Sequence, residues 1–279
     1  VSYLGLREKD AEATFHLFVF AVYVTPLAGA WLADRFLGRY RVILWLSLGY
    51  VAGHAVIAAC ESRAGLFAGL VLIAAGSGGI KPCVSAYVGD QFRPDQGELV
   101  SRVYGLFYWM INLGSFSSTL LVPELLHRFG PRVAFGVPGA LMAVALLVFV
   151  AGRRHYVDVP PAGPDPSSFW RVVATALRQR RRAWRGGDWL DTARPSHPPE
   201  AVAGARAVLR IARVFAAVTA FWALFDQHGA SWVLQASRMD LRVGGLELRP
   251  AQLSALNPVM VLLLIPLFQD GLYPWLGRR

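Results

Sequence analysis

Charge is what this 279-residue sequence most lacks: Asp, Glu, Lys and Arg make up 16% of it, against about 25% in an average soluble domain. With 55% hydrophobic residues and a mean hydropathy of +0.41, that shortage excludes an ordinary soluble globule and points to a polytopic membrane protein. Cysteine is scarce as well. Cys60 and Cys83 are the two present, in or beside apolar segments and without metal-ligand spacing, which excludes a disulfide framework and thiol-based metal or redox chemistry. Convincing strands are missing, and with them any strand-borne Walker loop, dinucleotide fingerprint or nucleophile elbow. GSGGIKP at 76–82 is glycine-rich but lacks the GK[ST] ending of a phosphate loop. The expectation is a chain that is not an enzyme, holds no metal and is not driven by ATP. No basic n-region with a cleavage site opens the sequence, which begins in the polar VSYLGLREKDAE.

What is present is a series of long apolar runs. Crossing about 30 Å of hydrocarbon takes about 20 helical residues. Seven runs qualify: 14–33, 42–59, 65–87, 103–122, 133–150, 214–236 and 253–276. The expected class is therefore all-α and polytopic. Glycine and proline within the runs are tolerated where neighbouring helices pack closely. Arginine sets the orientation. Arg35, Arg39 and Arg41 follow the first run, Arg93 and Arg102 the third, and Arg153, Arg154, Arg171, Arg178, Arg180, Arg181, Arg182, Arg185 and Arg194 the fifth. These loops share one side, which is read as cytoplasmic, so the first residues are read as extracellular. A net charge of +10 is explained by this bias, and no nucleic-acid partner is expected.

Residues 152–205 form a basic linker. PPAGPDP and RPSHPP break helices within it. It separates a bundle at 1–151 from the start of a second at 206–279. Between the proline clusters, residues 169–185 space Trp170, Val173, Leu177 and Trp184 on one helical face among arginines, which suits a helix lying on an anionic inner leaflet.

Polar groups inside the runs are the functional candidates, because intramembrane ionisable groups normally pair and line a pathway. Asp226 falls near the middle of its run, where a short carboxylate has no route to water. Lys81 lies nearer the inner end, where snorkelling to the headgroups competes with a buried role. His16 and Tyr23 are seven apart and share a face, while Tyr108 with Asn112, and Trp222 with Asp226, are four apart. Interhelical hydrogen bonding alone also accounts for the neutral members. Asn257, before Pro258, reads equally as a helix cap.

Residues 29–41 (GAWLADRFLGRYR), 76–92 (GSGGIKPCVSAYVGDQF), 107–115 (FYWMINLGS), 221–236 (FWALFDQHGASWVLQA) and 257–268 (NPVMVLLLIPLF) together resemble the proton-coupled oligopeptide transporter family of the major facilitator superfamily. The second and third look like its two signature segments. The resemblance implies helices two to eight of that fold, with the first helix and the last four lying outside the chain, so that the chain alone should not transport. The arginine-rich linker is similar to that of animal-type members and lacks the extra helix pair of many bacterial ones.

Position by position, the resemblance implies substrate-binding roles for Tyr23, Lys81, Tyr108, Asn112, Trp222 and Asn257, and proton-coupling roles for His16, Lys81, Arg210 and Asp226. It also implies di- and tripeptide substrates, the proton as coupling ion with no other cofactor, and a multi-pass protein of the plasma membrane. One departure stands out. Where animal-type members place an aspartate after the eighth-helix phenylalanine, this chain has Gln269 and then Asp270, so the carboxylate partner implied for Arg210 is displaced. The rival readings are a same-fold symporter of nitrate or another small anion, and a non-transporting membrane sensor or assembly subunit.

Overall fold

The computed structural model describes residues 7–183, 188–229, 231–243 and 245–277. Among them the architecture is helical apart from a two-residue antiparallel ladder, β1 (Arg242–Val243) with β2 (Leu246–Glu247). The helices are α1 (Glu8–Leu32), α2 (Arg39–Ala59), α3 (Arg63–Gly89), α4 (Gly97–Ala151), α5 (Phe169–Ala183), α6 (Pro199–Phe225), α7 (Ser231–Ala236), α8 (Leu256–Pro266) and α9 (Tyr273–Gly277). Five described stretches are long and apolar enough to cross a membrane: Glu8–Leu37, Arg39–Ala59, Arg63–Gly89, Gly97–His155 and Pro199–Ala236. Their outward faces are apolar and exposed, as on Leu27, Val71, Leu147 and Leu224, the surface lipid would cover.

At 55 residues, α4 would be about 80 Å long if straight, far more than one crossing. It breaks at Gly130, where φ is 77° and ψ −178°. Glycine takes that positive φ without penalty, and Pro131 follows, removing a backbone donor. The fourth and fifth expected runs lie on either side of this break.

Two expected runs are not continuous α-helices. The sixth is interrupted, because α6 ends at Phe225, a 3-10 turn covers Asp226–Gly229, and α7 begins at Ser231. The DQHG sequence explains this, since it is a short polar run closed by a glycine. The seventh opens as a 3-10 segment, Pro250–Ala255, continues as α8, and widens to a π segment, Leu267–Leu272, before α9. The side chains of Gln269 and Asp270 lie outside the described residues.

The chain divides into two compact units, 1–161 with 228–279, and 162–227. In the first, α2 packs on α3 and α4, and α1 on α3. Its densest apolar cluster gathers Ala33, Tyr40, Val42, Ile43, Cys83 and Tyr87. There Phe149 stacks on Tyr40 at 5.0 Å, and Arg153 lies 4.8 Å from the same ring. Beside it the GAWLADRFLGRYR stretch acts as a clamp: Arg39 pairs with Asp90 beyond α3 and with Asp34 beyond α1.

The second unit has a small core of its own. Val172 and Ala176 of α5 pack against Leu190, Ala193, Val202 and Ala205. Arg206 donates to Asp188, and to Asp191 at 2.7 Å. The Asp188 side chain also accepts from the Leu190 N–H at 3.1 Å. That backbone hydrogen bond, followed by the Arg206 guanidinium, holds the Asp188 carboxyl below the usual carboxylate range. The expected linker helix thus exists, but its Val172–Ala176 face is turned into protein. Trp184 lies outside the described residues.

Candidate functional site

The glycine-rich stretch after Ala75 is a helix-packing surface and not a loop. Gly76, Ser77, Gly78 and Gly79 are all buried inside α3. At Gly78 a Cβ would come within 2.5 Å of the Thr25 Cβ, so only glycine lets α1 and α3 approach this closely. Thr25 uses the approach, donating from Oγ1 to the Ala74 carbonyl across the helix pair at 2.8 Å. One turn further along, Lys81 Nζ sits 5.1 Å from the centroid of the Tyr23 ring. A cation over an aromatic face is stabilised by the ring quadrupole, more strongly where water is excluded. Within its own unit, no described carboxylate pairs with Lys81.

Lys81 also lines an open cavity of about 590 Å³, walled by Phe18 and Val22 of α1, Tyr50 of α2, Ser77 of α3 and Met142 of α4. A mostly apolar cleft with few polar groups is the usual form of a small-ligand site. An ammonium on its wall makes this one a place for an anionic group.

The other expected residues are placed as follows. Tyr108 is 53% exposed and Asn112 buried, and both lie outside the lining of the Lys81 cavity. The Asn112 amide donates to the Tyr108 carbonyl at 2.8 Å, which leaves its own oxygen available as an acceptor. His16 is half-buried, edge-on to Phe15 at 5.5 Å. Asn257 is exposed in the first turn of α8, whose N-cap is Ala255; the cap reading is therefore wrong.

In the second unit, Trp222 packs edge-on against Phe225 at 5.4 Å. Arg210 is exposed one turn beyond Arg206 and adds to the field that lowers the Asp188 pKa. Asp226 is half-buried at the C-terminal end of α6, and its N–H bonds to the Leu224 and Trp222 carbonyls. A carboxylate there meets the negative end of the helix dipole. Broken helices at membrane depth occur where backbone lines a cavity or is buried in protein.

Several groups were not anticipated. His54 is buried on α2, with Nδ1 3.1 Å from the Phe135 carbonyl. A carbonyl only accepts, so Nδ1 carries the proton, and Nε2 is left without a described partner. A lone histidine in an apolar run gave no signal of this.

A set of polar links joins elements at the end of the first unit opposite the Arg39 clamp. Ser231 donates to Glu12 at 2.8 Å and Arg238 to Glu8 at 3.4 Å. Arg249 meets Glu124 at 3.4 Å and His127 at 3.0 Å, and Gln252 donates to the Leu120 carbonyl at 2.8 Å. The partners lie more than a hundred positions apart in sequence, beyond the reach of periodicity.

Long apolar helices with a charged group held between two of them define an integral, multi-pass membrane protein, and its likeness to solved transporter structures gives it the fold of the major facilitator superfamily. The model of the POT family matches residues 40–279, and the chain belongs to that family. It is 41% identical to Peptide transporter family 1 of Drosophila melanogaster across 99% of the chain, and 38% identical to Solute carrier family 15 member 2 of Homo sapiens across 97%. Those matches cover 39% and 40% of the two relatives, so the chain spans about two fifths of their length. Among solved structures, the POT family transporter PepTSo superposes with a TM-score of 0.83 at 41% identity, over 96% of this chain and 61% of that one. A peptide transporter POT in complex with sulfate gives 0.76 at 27% identity, over 99% and 62%.

Proposed function

We propose that the chain is part of a proton-driven symporter of di- and tripeptides in the plasma membrane, with the proton as coupling ion, no other cofactor and no enzymatic step. The observation that carries this reading is the Lys81 ammonium, held over Tyr23 on the wall of an apolar cavity between helices. Relatives named as peptide transporters support the substrate class. A zwitterionic peptide has its carboxylate in one fixed place and its side chains anywhere. Lys81 takes the carboxylate, and Tyr23, Tyr108, Asn112, Trp222 and Asn257 supply neutral contacts, so specificity rests on the peptide backbone. His16, Lys81, Arg210 and Asp226 carry the response to protons. Transport by alternating access requires one end of the pathway to shut while the other opens. The links from Glu12, Glu124 and Leu120 to Ser231, Arg249 and Gln252 are the kind that hold one end shut, and they must break when it opens.

The test is the cost of removing the substrate carboxylate in the full-length protein. A hydrogen bond to a charged group contributes about 1.5–3 kcal/mol, so a dipeptide should compete for uptake at least tenfold better than its C-terminal amide. Lys81→Gln should erase that preference. An undiminished preference in the variant would remove Lys81 from the carboxylate site, and displacement by nitrate but not by dipeptide would replace the peptide reading with a small-anion one.

A further inference from the structure

The fold of unit 162–227 uses one face of α5 and leaves another uncovered. Val172 and Ala176 are fully buried in the small core, while Trp170 is 76% exposed and Leu177 53%. The exposed pair is seven residues apart and shares a helical face. Arg171 and Arg178, each next to one of them in sequence, are exposed as well. α5 carries five arginines and no carboxylate. The acidic groups in the core of the unit are already engaged, since Asp188 and Asp191 hold Arg206, and Asp191 also holds Arg194. Among the described residues no carboxylate pairs with Arg171 or Arg178, so a tryptophan and a leucine lie on the surface beside two cations that the unit's described acidic groups leave unpaired.

The place of α5 in the unit indicates what covers this face. α5 packs on the first turns of α6, at Val202 and Ala205, with Leu209 beside them. The apolar run of α6 starts about five residues beyond Leu209, roughly 8 Å at 1.5 Å per residue. From there Val214, Phe215, Phe221 and Leu224 are exposed, as suits a helix within hydrocarbon. α5 is therefore fixed on the first turns of α6, just before its apolar run, where a helix entering hydrocarbon would pass the headgroups.

We propose that α5 docks on anionic phospholipid, with Trp170 and Leu177 entering the boundary between headgroups and acyl chains and its arginines binding the acidic headgroups. Tryptophan favours that boundary because one end of its ring system is polar and the rest apolar. The arginines add electrostatic attraction that neutral lipid does not offer. RNA would satisfy the arginines but not the leucine. An acidic protein is the other possible cover, and the test separates it.

The test places a nitroxide label at Leu177→Cys in the full-length protein, with other reactive cysteines replaced, in bilayers of phosphatidylcholine with and without phosphatidylserine. Collisions with dissolved oxygen should exceed those with an aqueous nickel chelate when phosphatidylserine is present, and Trp170→Cys should behave alike. Adding Arg171→Gln and Arg178→Gln should reduce the inserted fraction relative to the free one about fivefold per arginine. These four side chains lie on the surface, so the substitutions leave the core of the unit intact. A label equally open to the chelate in both bilayers would overturn the proposal. A label immobilised yet still aqueous in anionic bilayers would assign the face to a protein partner, and would also overturn it.

Discussion

Lys81 and Asn112 are both intramembrane polar residues, yet their surroundings ask different things of them. Lys81 has a cavity in front of it and the Tyr23 ring beneath it, so its charge is available to a ligand. Asn112 is buried and uses one of its two amide hydrogens on the Tyr108 carbonyl of its own helix. If its remaining oxygen accepts from a peptide amino terminus, Asn112→Ala should raise the half-saturating peptide concentration tenfold or more. Uptake kinetics on the full-length variant measure this directly. An unchanged value would return Asn112 to helix packing. Lys81 was legible in the sequence because a cation in an apolar run is conspicuous. His54 was not, because whether a lone histidine is buried depends on which helix it meets, here the α4 segment that offers the Phe135 carbonyl.

The helices as elements followed from hydropathy almost throughout, since a run of about 20 apolar residues has few alternatives in a bilayer. Hydropathy did not register the interruption at Asp226, the shift among helix types after Pro250, or the burial of the Val172–Ala176 face of α5. Each depends on tertiary partners or on a few polar residues that a long window averages away. The glycine-rich stretch is where packing and site meet. Gly78→Val would drive a side chain into Thr25, and overpacking of this kind typically costs about 1–3 kcal/mol. The variant should melt at lower temperature and lose peptide affinity together, because separating α1 from α3 also lifts Lys81 off Tyr23. Wild-type melting in detergent would contradict the close-packing account.

The linker core supplies a prediction about pH. The folded Asp188 carboxyl titrates below its ordinary range because the Leu190 N–H and then Arg206 favour the charged form. Its stabilisation is therefore fully present above the unfolded carboxylate value and disappears as pH falls through the folded one, below about pH 4. Protection factors for amide exchange in the turns of α6 around Arg206, taken relative to the intrinsic rate at each pH, should fall in that window in the wild type. In Asp188→Asn exchange should already be faster at neutral pH, with a weaker acid dependence. Equal protection in the two proteins at neutral pH would show that the clamp contributes nothing.

At the scale of the whole molecule, the first unit carries a polar seam at one end and a cation on a cavity wall, and the second carries an acidic group at a helix break. Symport demands that the last of these respond to protons. An aspartate near mid-membrane changes charge only at an energetic cost, so its protonation state can bias one conformation over another. Asp226→Asn fixes the neutral form while keeping a similar shape. The most direct measurement is accumulation of a labelled dipeptide by vesicles containing the full-length protein, with the outside made more acidic than the inside. The wild type should concentrate the dipeptide against its gradient and lose this ability when a protonophore collapses the pH difference, and Asp226→Asn should retain peptide exchange but no accumulation. Accumulation by the wild type that survives the protonophore, or normal accumulation by Asp226→Asn, would contradict proton coupling through this residue.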